Sequence, residues 1–349
     1  MTLSVDIRKQ LGDFHLEVQF QAEEFPLALL GASGCGKSVT LKCIAGILTP
    51  DAGRIELDGE VLFDSAARVN LPPQRRRVGY LFQNYALFPH MTVRQNLAAG
   101  VRDRSRRQAA VADLLRRFQL EGTADQKPGQ LSGGQQQRCA LARILAAEPR
   151  AILLDEPFSA LDTYLKHQLE LEVADTLADF SGPVVWVSHD QGEVFRNCRR
   201  VCVLDRGRSQ PMTTPEELFR APATEAAARL SGCENFLDIL PQGDEVFVPA
   251  WRITLSCGRP VPPDTRRIGL RAGGVLLTEA HAAHALPCTL VRMVEDISAA
   301  WILLRPQAAP PDAPLLRVEA DRALWQTIPP GSPIWVSIPP ESILPLRQA

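Results

Sequence analysis

Short apolar runs recur along the first two thirds of the chain, and the segments between them show helical spacing. Residues 26–30, 151–154, 184–187 and 201–204 are apolar throughout and read as buried strands. Between these runs, residues 37–46 set Leu41, Ile44 and Ala45 on one side. Residues 163–180 carry Leu165, Leu169, Leu171, Val173 and Leu177 at helical spacing, and residues 134–147 align Ala140, Leu141, Ile144 and Leu145 in one stripe. Residues 93–99 and 106–118 add two more helical patterns. Strands alternating with helices predict a mainly parallel α/β sheet. Thr214, Pro215, Glu216 and Glu217 form a helix start, with a cap, a first-turn proline and acids facing the dipole. This helix is expected to close the first region.

From about Cys233 the texture changes. Prolines become dense, and short β-type runs appear at residues 245–248, 268–270, 289–293, 301–304, 316–319 and 334–338. Residues 307–314 read as a loop between two of them. The pattern predicts a small all-β barrel, hence two domains, 1–231 and 232–349. A chain of 349 residues is long enough for two cores. Hydrophobic residues at 45% and charged residues at 22% are ordinary for a globular protein. A formal net charge of -2 gives no reason to expect nucleic acid as a partner. No apolar run approaches the roughly 20 residues that cross a bilayer, and the first residues lack the apolar stretch of a secretory leader. The eight cysteines are scattered without metal-site spacing, so free thiols are expected.

The chemistry begins after the first buried strand. Gly31, Ala32, Ser33, Gly34, Cys35, Gly36, Lys37 and Ser38 spell a complete phosphate-binding loop between a strand and a helix. The glycines let the backbone curl so that N–H groups converge on phosphate oxygens, and the helix start adds partial positive charge. Lys37 supplies a full charge to the outer phosphates, and the Ser38 hydroxyl is a ligand for Mg²⁺. A second strand ends in Asp155 and Glu156. Side chains alternate along a strand, so the two acids are expected to take different roles. Asp155 is assigned to Mg²⁺, and Glu156 to the attacking water as general base. Ser132, Gly133, Gly134 and Gln135 open another helix and form a second anion site, with Ser132 as cap. His189 follows the strand at 184–187, at the carboxyl edge where open parallel sheets bind ligands.

The order of these motifs resembles the ATP-binding subunit of an ATP-binding-cassette transporter, over about residues 1–230. Gln83 matches the family's Q-loop glutamine, which contacts Mg²⁺ and senses the membrane partner. Leu131 to Gln135 match the signature motif, Ser159 to Asp162 the D-loop, and His189 the switch histidine. In the family the signature meets the γ-phosphate held by the other subunit. The resemblance therefore implies a homodimer, two copies head to tail, with ATP and Mg²⁺ held at each composite site. It makes Lys37, Gln83, Glu156 and His189 the catalytic set, with Ser38, Gln83 and Asp155 around the metal. Asp162 joins the nucleotide site. The family stacks adenine on an aromatic residue near the N-terminus; Leu11 stands at the first alignment of that residue, and Phe14 is the alternative. The aromatic stretch at residues 83–90 falls where members receive a helix of the membrane subunit.

The second region resembles, more weakly, the C-terminal β-domain of importer ATPases, which regulates or stabilises the dimer. Residues 269–271 and 338–343 look like its recurrent strand ends. The resemblance implies an ATPase at the cytoplasmic face of the membrane, working with two integral-membrane permease subunits and a solute-binding protein. Residues 71–80 resemble members serving molybdate, tungstate or sulfate. Molybdate import is the first expectation, sulfate or thiosulfate the next, then polyamine or sugar. A soluble ATP-driven switch is the competing class; such relatives carry two cassettes or a long coiled-coil insertion. An anion sensor with a vestigial ATPase is a third, opposed by intact Lys37, Asp155, Glu156 and His189.

Overall fold

The computed structural model describes residues 1–159, 163–280, 282, 285–295, 300–320 and 329–347. The chain divides into two compact units, Met1–Pro215 and Glu216–Ala349.

The first unit runs β1 (Leu3–Leu11), β2 (Phe14–Ala22), β3 (Leu27–Leu30), α1 (Lys37–Ala45), β4 (Ala52–Leu57), β5 (Glu60–Asp64), β6 (Val69–Asn70) and α2 (Pro73–Arg76). It continues through β7 (Val78–Leu81), α3 (Val93–Gly100), α4 (Arg107–Arg117), α5 (Gly133–Ala146), β8 (Ala151–Asp155) and α6 (Thr163–Ala178). It ends with β9 (Val184–Ser188), α7 (Gln191–Asn197), β10 (Arg200–Asp205) and β11 (Arg208–Ser209). The strands join in the order β6-β5-β4-β1-β2-β11-β10-β3-β9-β8-β7. From β10 to β7 every neighbour is parallel, and β3, β8 and β9 are buried along their whole length. That explains why the sequence shows them as continuous apolar runs, since helices cover both faces of a parallel sheet. On the other side lies an antiparallel wing. There β1 and β2 pair from Leu3↔Ala22 to Leu11↔Phe14, and their inward side chains enter the same core as Leu41 and Ile44 of α1.

Helix α6 corrects one expectation. Leu169, Val173 and Leu177 are buried, but Leu171 is 69% exposed. Spacings of four keep the first three on one face, and Leu171 lies about 200° around from Leu169. Leu165, the remaining residue of that stripe, lies outside the described side chains.

The second unit holds α8 (Pro215–Arg220), α9 (Glu225–Leu230), β12 (Asn235–Asp238), β13 (Leu240–Gln242), β14 (Glu245–Val248), β15 (Ile253–Ser256) and β16 (Arg267–Leu270). It continues with β17 (Leu276–Thr278), β18 (Ala285–Glu295), β19 (Ala300–Pro306), β20 (Leu316–Ala320), β21 (Pro333–Ser337) and β22 (Ile343–Leu346). These form three curled, all-antiparallel sheets, β12-β16-β22, β13-β14-β15 and β17-β21-β18-β19-β20. One core joins them and includes the fully buried Trp251, whose indole N–H donates to Pro314 O at 2.7 Å. Five of the six β-type runs lie within strands, and the sixth does so except for Ile338, one residue past β21; the short strands β12, β13, β15, β17 and β22 are not legible in the sequence.

The division falls earlier than residue 231. Helix α9 groups with the β-sheets because Glu225 bonds Arg267 of β16, and Ala228 packs with Leu344 and Leu346 of β22. Arg271 reaches back to Phe219 O and, at 3.2 Å, to Ser231 O. Among the described residues, no helix is long and apolar enough to cross a membrane.

Candidate functional site

The loop between β3 and α1 is built on glycine conformations. Gly34 has φ 78° and Gly36, which caps α1, has φ 110°. A Cβ on Gly36 would lie 2.5 Å from Leu16 Cδ1, so the position excludes a side chain on two counts. The Lys37 ammonium is buried within the curl and donates to Gly31 O at 2.7 Å and Ala32 O at 3.0 Å. Cys35 lies 4.0 Å from that ammonium, and burial raises its thiol pKa despite the charge.

Ser38, in the first turn of α1, donates its hydroxyl to Asp155 Oδ1 at the end of β8 at 2.9 Å. The other carboxylate oxygen accepts from Tyr80 OH at 2.8 Å. Burial and the Asp155 charge push the Tyr80 phenol far above its ordinary pKa, so it stays a donor. Two hard oxygens held together in this way suit a cation that keeps its waters and takes phosphate oxygens as further ligands. The structure does not bring Gln83 to this pair. It lies two residues beyond β7, and its amide N–H donates to Ser159 Oγ at 3.3 Å.

The separation of Asp155 from Glu156 has a different cause from strand alternation. Asp155 is the last residue of β8, and Glu156 turns into the left-handed region with φ 48°. Its N–H is fixed by Val187 O at 3.0 Å, while its carbonyl accepts from the N–H and hydroxyl of Ser159. A non-glycine residue in that region costs about 1–3 kcal/mol and persists only where neighbours over-determine it. The turn aims Glu156 at His189, with Oε2 3.6 Å from Nδ1. His189 is 65% exposed at the end of β9.

Ser132 caps α5 as expected. Its hydroxyl accepts from Gln135 N–H at 3.3 Å, and Gln135 Oε1 accepts from Ser132 N–H at 2.9 Å. This reciprocal box leaves the N–H groups of Gly133 and Gly134 without acceptors inside the helix. Asp162 lies outside the described residues. Beside the loop opens a cavity of about 950 Å³, whose lining includes Lys9, Phe14, His15, Ala32, Ser33, Gly34, Cys35 and Arg206. Phe14 lines it and also packs against the core, whereas exposed Leu11 is not among its lining residues. Sequence reasoning missed Tyr80. It acts through its bond to Asp155 on the neighbouring strand, and no motif spacing announces such a contact.

These features define a P-loop nucleotide-binding domain followed by an antiparallel β-domain. The family described as "ABC transporter" matches residues 15–159. A spermidine/putrescine import ATP-binding protein of Nitratidesulfovibrio vulgaris is 43% identical over 64% of this chain and 60% of its own length. An Fe(3+) ions import ATP-binding protein of Streptomyces avermitilis is 36% identical over 94% of this chain and 92% of its own. A molybdenum import ATP-binding protein of Paramagnetospirillum magneticum is 39% identical over 63% and 61%. The match thus spans about three fifths of the first and third of these relatives. Among solved structures, a dimeric ATP-binding cassette in a post-hydrolysis state with ADP and Pi superposes with TM-score 0.51 and 27% identity, over 62% of this chain and 99% of that one. The chain belongs to the ABC transporter family.

Proposed function

We propose that this chain is the ATP-hydrolysing subunit of an import complex. Two copies would act head to tail on two integral-membrane permease subunits, at the cytoplasmic face of the membrane, with a solute-binding protein delivering the cargo. The observation that carries the reading is the pairing of Ser38 with Asp155 one residue from the Glu156–His189 contact. Bound Mg²⁺ would neutralise charge on the outer phosphates. Lys37 and the loop N–H groups from Gly31 to Ser38 hold the phosphate chain, for which its oxygens displace the carbonyls that Lys37 now meets. Glu156 takes a proton from the attacking water, and His189 orients that water and the γ-phosphate. Gln83, bonded to Ser159, would report the site to a permease, and Asp162 would complete the nucleotide contacts. Ser132, Gly133, Gly134 and Gln135 of the second copy close the site from the other side.

Replacing Glu156 by Gln should lower ATP turnover by at least about 100-fold while ATP binding persists and a dimer accumulates. Unchanged turnover would refute the assignment. Co-purification with two hydrophobic partners from membranes separates an importer subunit from a soluble switch.

The solute calls for a finer proposal, and molybdate is its first arm. The resemblance behind it, at residues 71–80, includes Arg76, which bonds carbonyls at the end of α1. Closing a helix is indifferent to the solute, so that stretch lends the anion little support. Ferric iron is the second arm, suggested by the relative aligned over 94% of this chain, and polyamine the third. Uptake of labelled molybdate, ferric iron, sulfate and putrescine in a deletion strain decides among them. Loss of iron or putrescine uptake alone would overturn molybdate.

A further inference from the structure

His189 is 65% exposed, yet the residues on both sides of it are tied down. Ser188 and Asp190 take part in one buried network centred on Glu193 of α7. The Glu193 carboxylate accepts from the Trp186 indole N–H at 2.6 Å and from the Ser188 hydroxyl at 2.9 Å. The same hydroxyl accepts from Asp190 N–H at 3.0 Å. Asp190 in turn caps α7, its Oδ1 accepting from Glu193 N–H at 2.9 Å. Lys166 of α6 then closes the network, donating to Asp190 Oδ2 at 2.6 Å and lying 3.4 Å from Glu193 Oε2.

We propose that Lys166 and Glu193 are positioning residues for His189, locking the backbone from Ser188 to Asp190 so that the imidazole faces Glu156. The inference rests on the ATPase reading above and deepens it. Among the described residues, no hydrogen bond or ion pair joins either side chain to Glu156 or His189, so both act through their neighbours. Trp186 and Ser188 both lie on β9, so a single carboxylate reads the strand end and the first turn of α7 together. Lys166 adds the third element, α6, which begins directly after the stretch from Ser159 to Asp162. The orientation of His189 thereby depends on where α6 lies.

A purely structural role for Lys166 would duplicate an existing tie. Glu170 of α6 already binds Arg196 of α7 through two bonds of 2.8 Å, and Asn197 donates to the same carboxylate. Removing Lys166 therefore leaves α6 and α7 fastened, while the chain beside His189 is released. A loosened group misplaced by about an ångström loses on the order of 100-fold in rate.

The test uses the full chain as wild type, Lys166→Met, Lys166→Arg and Glu193→Gln. Turnover is measured across ATP concentrations, with Tm as the control. Lys166→Met should lose about 10- to 100-fold in kcat, with KM within about twofold and Tm close to wild type. Lys166→Arg should recover most of the loss, since it restores a donor to Asp190. Glu193→Gln keeps the shape but loses the charge facing Lys166, so kcat should drop by roughly three- to tenfold. Wild-type kcat in folded Lys166→Met overturns the proposal, as does a loss that Lys166→Arg fails to repair. If Lys166→Met does not fold, wild-type kcat in Glu193→Gln overturns it instead. A wild type that hydrolyses no ATP refutes the ATPase reading, and this inference with it. A wild type that turns over beside equally active variants refutes the inference alone.

Discussion

Replacing Arg76 by methionine removes a guanidinium that is fully buried between α1 and the stretch leading into β7. It makes four hydrogen bonds. Nε donates to Leu71 O at 2.8 Å, Nη1 to Cys43 O at 2.8 Å and Ile44 O at 2.9 Å, and Nη2 to Asn70 Oδ1 at 2.8 Å. Hydrogen bonds from a charged donor contribute about 1.5–3 kcal/mol each, so four give a gross of roughly 6–12 kcal/mol. Against this stands the desolvation of the ion, several kcal/mol, which also pulls the Arg76 pKa below its ordinary value. Methionine fills much of the space but leaves three backbone carbonyls without their donor, and the C-terminal end of the phosphate-loop helix without its cation. The balance is a loss of about 3–5 kcal/mol. For a unit of this size that corresponds to a fall in Tm of about 10 °C. Urea unfolding followed by far-UV circular dichroism measures it, with hydrogen exchange of the α1 amides to assign the loss to the first unit. That second measurement matters because a two-unit chain need not unfold in one step. An unfolding free energy within about 1 kcal/mol of wild type, with α1 equally protected, would show that this arginine does not close the helix.

Gly46→Ala attacks the same contact from the other side: φ is 79° there and the new Cβ would meet Arg76 Nε at 2.5 Å. A destabilisation of about 2 kcal/mol or more is expected in the same unfolding assay, and none would contradict the packing. Ser38→Ala and Asp155→Asn should each weaken Mg²⁺ binding, raising the half-saturating Mg²⁺ concentration for turnover about tenfold. Identical Mg²⁺ titrations would remove the pair from the metal. The Lys166–Asp190 pair sets a pH window. Burial alone would raise Asp190, but its bonds from Lys166 and Glu193 N–H hold it below its ordinary 3.8. Burial would lower Lys166, and its two acidic partners hold it above 10.5. A depressed acid adds stability that is lost as pH falls through its folded value, and a raised base adds stability that is lost as pH rises through its own. The pair should therefore stabilise the fold from about pH 4 to about pH 10 and fade outside that range. Glu193, which burial raises, gives the opposite slope on the acid side, so comparisons are made at matched pH. Lys166→Met should flatten both flanks of the urea midpoint against pH, and superimposable profiles would refute the pair's contribution.

The legible parts of this protein are those whose physics is local. Gly31 to Ser38 declare a phosphate loop because only such glycines permit its curl, and Ser132 with Gln135 declare a cap because both bonds close within one turn. Fully buried strands such as β3, β8 and β9 announce themselves as apolar runs because both their faces are covered. The second unit was less legible. Strands of three or four residues such as β13 and β17 hold too little pattern to separate from loops, and they exist through their partners β14 and β21. The unit boundary was hidden for the same reason, since what binds Glu225 to Arg267 lies 42 residues away.

By itself, the sequence determined the order of the phosphate-facing elements, the parallel sheet beneath them and the residue types that meet a nucleotide, because backbone curl, capping and apolar periodicity are short-range. Only tertiary structure decided which atoms meet. It brought Ser38 and Tyr80 onto opposite oxygens of Asp155, turned Glu156 toward His189 through a left-handed kink, and sent Gln83 to Ser159 instead of to the metal pair. Those choices depend on side chains from separate strands arriving within hydrogen-bond reach, and the spacing of residues along the chain does not encode that geometry.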